Sequence, residues 1–205
     1  EDELSMAARL HVSRPTARQA LQRLVDRGLL TRRRGVGTIV SPRHVHRPME
    51  LTSLMRDLVN AGHKVHTTIQ HYEARPATAQ EADTLKITEG TLIVHIERTR
   101  FADNEPIAVL TNLIPADIAP TMQELESASL YDLMRERGVT LASARQIIGA
   151  RSATTKEAKL LSEHRGAALL TSQRTTYDPS GRIVECGNHI YRASRYSFEA
   201  SLFAQ

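Results

Sequence analysis

Val12-Ser13-Arg14-Pro15-Thr16-Ala17-Arg18-Gln19-Ala20-Leu21 is the stretch on which the reading of this fold turns. Ser13 has the hydroxyl that can close a helix N-terminus by accepting from an amide two or three residues on. Pro15 falls in the first turn, where its missing N–H costs nothing. Ala17, Ala20, Leu21, Leu24 and Val25 then recur at helical spacing, while Arg14, Thr16, Arg18 and Gln22 fall mostly off that stripe. Gly28 stands where a left-handed cap ends a helix. Working outward, Glu3 to Leu10 predicts a shorter helix with Leu4, Ala7, Ala8 and Leu10 buried, and His11-Val12 predicts the turn between the two. On the other side, Leu29-Leu30-Thr31 and Thr38-Ile39-Val40 predict short strands around a basic tip, Arg32-Arg33-Arg34-Gly35-Val36-Gly37.

A helix with Ser-Arg-x-Thr-x-Arg at its start can reach base edges in a major groove, and a basic wing beside it can hold phosphates. Charge supports that reading. Residues 1–47 hold ten arginines and four acids, a net of +6, whereas the remainder is −2. The whole positive excess therefore sits in the first quarter of the chain, as a nucleic-acid footprint requires. The expected unit is a winged helix-turn-helix over 1–40. Such a unit has a further helix ahead of this pair, so the domain is expected to be incomplete at its N-terminus.

Composition narrows the rest. Aromatic residues make up 4% and there is no Trp, so base-stacking platforms for single strands are a poor fit. One cysteine, Cys186, excludes an intramolecular disulfide, suits a reducing cytoplasm and reads as core. No apolar run of roughly 18 residues exists to cross a membrane, and no signal peptide is expected. Nine histidines include the close pairs His44/His46 and His63/His66, but no metal-ligand spacing accompanies them. No metal and no cofactor is expected.

Ser41 to Pro48, with two prolines and little apolar content, reads as a linker over 41–48. Beyond it, 49–205 carries an internal duplication. Ala77-Thr78-Ala79-Gln80-Glu81-Ala82-Asp83-Thr84-Leu85 aligns with Ala153-Thr154-Thr155-Lys156-Glu157-Ala158-Lys159-Leu160-Leu161. The same offset pairs Gly90 with Gly166, Arg98 with Arg174 and Phe101 with Tyr177. Each copy reads as a capped helix, a glycine, a long strand, a turn and a returning strand. The turns are Asp103-Asn104-Glu105-Pro106 and Asp178-Pro179-Ser180-Gly181. Two such halves predict one α+β domain with a single antiparallel sheet and a ligand pocket between the halves. Further helices are predicted at Leu51–Ala61, closed by Gly62, and at Ser129–Arg137, closed by Gly138. Arg98 and Arg100, two apart on a strand, share a face and suit a carboxylate or phosphate. Structural ion pairs with Glu97, Glu105 or Glu185 are the competing reading. The Ser53-Leu54 amides, at a predicted helix start, offer a further anion contact.

The chain resembles the GntR-family bacterial transcription regulators of the HutC type, in which a winged helix-turn-helix precedes a ligand-sensing UTRA domain of chorismate lyase-like fold. The resemblance is carried by Val12-Ser13-Arg14, Arg18-Gln19-Ala20-Leu21, Gly28-Leu29-Leu30, Arg34-Gly35-x-Gly37-Thr38, Glu97-Arg98-Thr99-Arg100, Glu105-Pro106-Ile107-Ala108, Ser129-Leu130-Tyr131, Arg192 and Arg195-Tyr196-x-Phe198-Glu199. It implies DNA contacts by Ser13, Arg14, Thr16 and Arg18 on the recognition helix and by Arg34 and Gly35 on the wing. It also implies a homodimer on a palindromic double-stranded operator, in the cytoplasm, more often as a repressor. For a small anionic effector, a sugar phosphate or small carboxylate, it points to Arg98, Arg100, Ser129, Tyr131, Glu185 and Tyr191. Asp2 stands where relatives often carry a DNA-touching Arg. Leu110 and Gly149 stand where sugar-phosphate-binding relatives often carry acids, which implies a more apolar pocket. The rival readings are a chorismate lyase-like enzyme, for which no nucleophile–base pair is evident, and a DNA-binding protein without a ligand.

Overall fold

The computed structural model describes residues 3–26, 30–33, 37–40, 45–48 and 51–199. Contacts divide the chain into two units, Glu1–His44 and Val45–Gln205.

In the first unit, α1 (Glu3–Arg9) and α2 (Arg14–Asp26) are followed by an antiparallel pair, β1 (Leu30–Arg33) and β2 (Gly37–Val40). The Thr16 amide donates to Ser13 Oγ at 3.3 Å, so Ser13 caps α2. His11 makes the turn with a φ of 52°. The apolar stripe is narrower than its spacing predicts. Ala7, Ala17 and Leu21 are buried, but Ala8 and Ala20 are exposed and Leu10 is 52% exposed. For Leu10 the reason is local: α1 ends at Arg9, so Leu10 falls beyond the helix. The cap at Gly28 and the strand start at Leu29 lie outside the described residues.

The second unit opens on β3 (Val45–Pro48), which corrects the predicted linker over its last four residues. β3 pairs in parallel with β10 (Tyr196–Glu199), far along the chain. Local composition could not reveal that partner. Val45, 2% exposed, packs with Leu54, Leu58, Tyr191 and Tyr196. Next comes α3 (Leu54–Asn60), shorter than predicted because Ser53 caps it, accepting from the Arg56 amide at 3.1 Å.

A six-stranded antiparallel sheet forms the body of this unit. Its strands are β4 (Val65–Pro76), β5 (Leu92–Ala102), β6 (Glu105–Pro115), β7 (Ser143–Ser152), β8 (Ala168–Tyr177) and β9 (Ile183–Arg192), in the order β4-β5-β6-β9-β8-β7. The predicted duplication is the organising feature, and each half carries a further strand ahead of its helix that the repeat did not predict. One half is β4, α4 (Ala79–Leu85), β5 and β6. The other is β7, α7 (Thr155–Leu160), β8 and β9, and the two meet at the β6–β9 seam. The halves share chemistry in detail. Thr78 and Glu81 form a capping box on α4, and Thr154 and Glu157 form one on α7. Arg75 holds Glu81 at 2.6 Å as Arg151 holds Glu157 at 2.5 Å. Gly90 and Gly166 both lie in the left-handed region, at φ 81° and 79°.

α5 (Met122–Ser127) and α6 (Leu130–Glu136) complete the unit, and Leu125, Leu130, Leu133 and Met134 pack on Val94, Ile96 and Ile114 of the sheet. α6 begins after its Ser129 cap, as predicted. No described helix is long and apolar enough to cross a membrane, and no cluster of three or more metal-ligating side chains occurs among the described residues.

Candidate functional site

Register across the seam brings together residues far apart in sequence. Arg98 and Arg100 on β5 stand opposite Leu110 and Ala108 on β6, and these stand opposite His189 and Tyr191 on β9. Arg174 on β8 stands opposite Gly187. Over this face lie the starts of α3 and α6, tied by a 3.5 Å Arg56–Asp132 ion pair. The result is a cleft with about 390 Å³ of open space. Its walls hold Ser53, Leu54, Arg98, Arg100, Ser129, Tyr131 and Tyr191, so seven of the eight predicted effector residues converge.

Glu185 does not line the cleft. It is fully buried beside it, accepting from Thr176 Oγ1 at 2.8 Å, Asn112 Nδ2 at 2.6 Å and Tyr131 Oη at 3.2 Å. Burial nevertheless raises its carboxyl above the usual range, and burial also pushes the Tyr131 phenol up to about 12. Gly187 gives these side chains their room: a Cβ there would sit 2.5 Å from both Glu185 Oε1 and His189 Nε2, so any larger residue would displace them.

The two arginines decide the chemistry. Arg98 and Arg100 are 3% and 2% exposed. Arg98 Nη2 donates to Asn112 Oδ1 at 2.9 Å, which is a carboxamide and not a carboxylate. Glu97 instead pairs with Lys156, and Glu105 with Arg192 and Arg195. Nε and Nη1 of both arginines are buried without a hydrogen-bond partner. Burial draws Arg98 down to about 10, partly offset by Glu185, and Arg100 down to about 9, with Arg98 adding repulsion. Both remain cationic at neutral pH. Buried donors in native proteins are almost always satisfied, and a buried unpaired charge is costly. Four guanidinium nitrogens of one cleft thus have donor capacity to spare, which is the chemistry an anionic group can satisfy.

The cleft also holds four polar side chains outside the predicted set. Arg174 lines the cleft as the duplicate of Arg98, held by Gln146 at 2.7 Å and reaching the Thr52 carbonyl at 3.4 Å. The offset that pairs the two arginines was the available signal. Asn112 and His189, which face each other at 3.2 Å, needed the β6–β9 register, and Thr52 needed the true start of α3. Leu110 does wall the cleft. Gly149 does not: it lies on the opposite sheet face, because it pairs with Thr171 rather than with a cleft-facing residue.

On α2, Arg14, Thr16 and Arg18 are exposed, and Ser13 Oγ lies 2.7 Å from Thr16 Oγ1. Arg14, Arg18, Gln19 and Gln22 line one surface recess. Arg34 and Gly35 lie outside the described residues.

With this geometry in place, comparison with known proteins is direct. Residues 2–40 match the bacterial regulatory proteins of the gntR family, and residues 60–197 match the UTRA domain. The HTH-type transcriptional repressor NagR of Bacillus subtilis is 33% identical over 199 residues, covering 96% of this chain and 82% of that protein. The probable transcriptional regulator PhnF of Escherichia coli is 34% identical over 165 residues, 78% of this chain and 67% of that one. The crystal structure of PhnF from Mycobacterium smegmatis superposes with a TM-score of 0.81 at 26% identity, covering 100% of this chain and 92% of that chain. The chain belongs to the GntR family, in the HutC-type branch that joins a helix-turn-helix to a UTRA domain, and is a transcription regulator rather than an enzyme.

Proposed function

We propose that the protein is a cytoplasmic homodimeric repressor that binds a palindromic operator and releases it when a small anion occupies the UTRA cleft. The single observation behind this reading is the set of buried, unmatched guanidinium nitrogens on Arg98 and Arg100. A phosphate or carboxylate group accepts bidentately from such forks. Ser53, Leu54, Ser129, Tyr131 and Tyr191 then contact the rest of the effector. Glu185 holds Asn112 and Tyr131 in place from below. Leu110 makes one wall apolar, which favours a compact sugar phosphate or carboxylate with few groups seeking acceptors there. On DNA, Arg14, Thr16 and Arg18 read bases beside the Ser13 cap, and Arg34 and Gly35 hold phosphate from the wing. Coupling of this kind amounts to about 1–3 kcal/mol, roughly a 5–150-fold change in operator affinity.

The test is a thermal-shift series with inorganic phosphate, small carboxylates and phosphorylated sugars, run on the wild-type chain and on Arg98→Ala. A ligand at 100 times its Kd stabilises by about 2.7 kcal/mol. Stabilisation lost in Arg98→Ala is expected. Equal stabilisation of both proteins, or operator affinity unmoved by a saturating hit, overturns the effector reading.

A further inference from the structure

The duplication that builds the sheet also duplicates an arginine. Arg98 on β5 and Arg174 on β8 hold the same place in the two halves, and both reach the cleft. β6 and β9 lie between their strands, which therefore run about 14 Å apart, three inter-strand spacings of about 4.7–4.9 Å. The two side chains are also held toward opposite ends. Arg98 Nη2 donates to Asn112 on the neighbouring β6, whereas Arg174 Nε donates to Gln146 on β7, on the side away from Arg98. Arg174 further reaches the Thr52 carbonyl and the Tyr131 phenol, so these partners are all neutral. Among the described residues three arginines and no acid line the cleft. Glu185, beneath it, is already committed to Thr176, Asn112 and Tyr131.

The hydrogens between these poles can be placed by elimination. Arginine only donates, so Asn112 meets Arg98 with Oδ1, and its Nδ2 faces Glu185 and His189. His189 Nε2 therefore accepts at 3.2 Å, which puts the hydrogen of the neutral ring on Nδ1, toward Tyr191 Oη at 3.2 Å. The hydroxyls of Ser53 and Ser129 accept the Arg56 and Asp132 amides as helix caps, which leaves each a hydrogen to donate. The cleft thus offers donors at both ends. Leu110 adds an apolar wall, and an amine or ammonium on the ligand finds no carboxylate to meet.

We propose that the cleft is bipolar and that its effector carries two separate anionic groups and no cationic one: a phosphate or carboxylate on Arg98 and Arg100, and a second carboxylate on Arg174. The class is a phosphorylated carboxylic acid or a dicarboxylic acid. This deepens the anion-sensing reading above and rests on it. A single anionic group satisfies one pole and leaves Arg174 with neutral partners, whereas a carboxylate at the second pole gains a charge-assisted contact. Arg174 is then the residue that selects among anions, and Arg98 the one that all of them need.

The experiment is titration calorimetry on the full chain with matched probes. Phosphoglycolate, ethyl phosphate and phosphoethanolamine share one phosphate and differ in ending with a carboxylate, a methyl or an ammonium. The pair 6-phosphogluconate and glucose 6-phosphate makes the same comparison over a longer span. Wild type is expected to favour at least one phosphocarboxylate over its single-anion counterpart by about tenfold or more, with phosphoethanolamine the weakest of its set. Arg98→Ala is expected to weaken every probe. Arg174→Gln is expected to bring the carboxylate preference to about one, and Arg174→Lys, which keeps the charge, to retain it. Far-UV circular dichroism checks that each variant folds, and the lysine variant carries the test if the glutamine one does not. Binding of no probe overturns the anion reading and this proposal together. Binding that needs Arg98 but ignores the second carboxylate, or an equal loss for both members of a pair in Arg174→Gln, overturns this proposal alone. So does tight binding of phosphoethanolamine.

Discussion

Arg100 shows how a single residue can oppose the fold that contains it. Its guanidinium is buried beside a second cation, and two of its nitrogens donate to nothing. Arg100→Met keeps the length and removes the uncompensated charge. It is expected to raise the stability of the ligand-free protein by about 1–3 kcal/mol, the cost of an unsatisfied buried polar group, while abolishing stabilisation by anions. Thermal unfolding with and without inorganic phosphate reads both effects. A structural arginine would show the opposite sign, with Arg100→Met destabilising. At this scale the sequence was informative about Arg98 and Arg100, since alternation on a strand places them on one face whatever the strand pairs with. It was silent on Asn112 and His189. Their meeting depends on which residue of β6 opposes which residue of β9, and no local property of either strand encodes that register.

Among the elements, α4 and α7 repeat one solution. In each, an arginine from the preceding strand and a threonine cap converge on the same glutamate, and Glu81 and Glu157 are both held down to about 2 from an ordinary 4.5, chiefly by hydrogen bonds from Arg75 and Arg151. A carboxyl whose folded value is depressed contributes stability that is present above its unfolded value and lost as pH falls through the folded one. The stabilising effect of these pairs is thus complete above about pH 4.5 and disappears toward pH 2. Glu157→Gln is expected to lower the denaturation midpoint at pH 7 and to converge on wild type near pH 2, as urea titrations across that range would show. Convergence at pH 7 instead would mean that the pair is inert. These helices were legible because caps are local chemistry, Thr-x-x-Glu followed by an apolar turn. β3 was illegible because the strand it pairs with, β10, lies some 150 residues away, and its proline and histidine argued against a strand.

For the whole molecule, charge by itself separates the two units: all the positive excess lies in the arginine-rich first 47 residues, which the contact boundary at His44–Val45 nearly matches. The duplication likewise implies a sheet of two halves, and register supplies the seam. The parallel β3–β10 pair has a consequence of its own. Tyr191 borders the cleft, Tyr196 stacks on Tyr191 with ring centroids 4.3 Å apart, and Tyr196 begins the strand bonded to β3. β3 is the first strand after the boundary between the units. A two-stranded parallel ribbon is among the weakest sheets, so its amides should exchange hydrogen for deuterium well before those of β6 and β9. An anion that stills Tyr191 should slow β3 and leave the β6–β9 seam unchanged. The part of this protein most responsive to its ligand would then be a short clasp at the edge of the sensor, fastened by two aromatic rings, rather than the cleft itself.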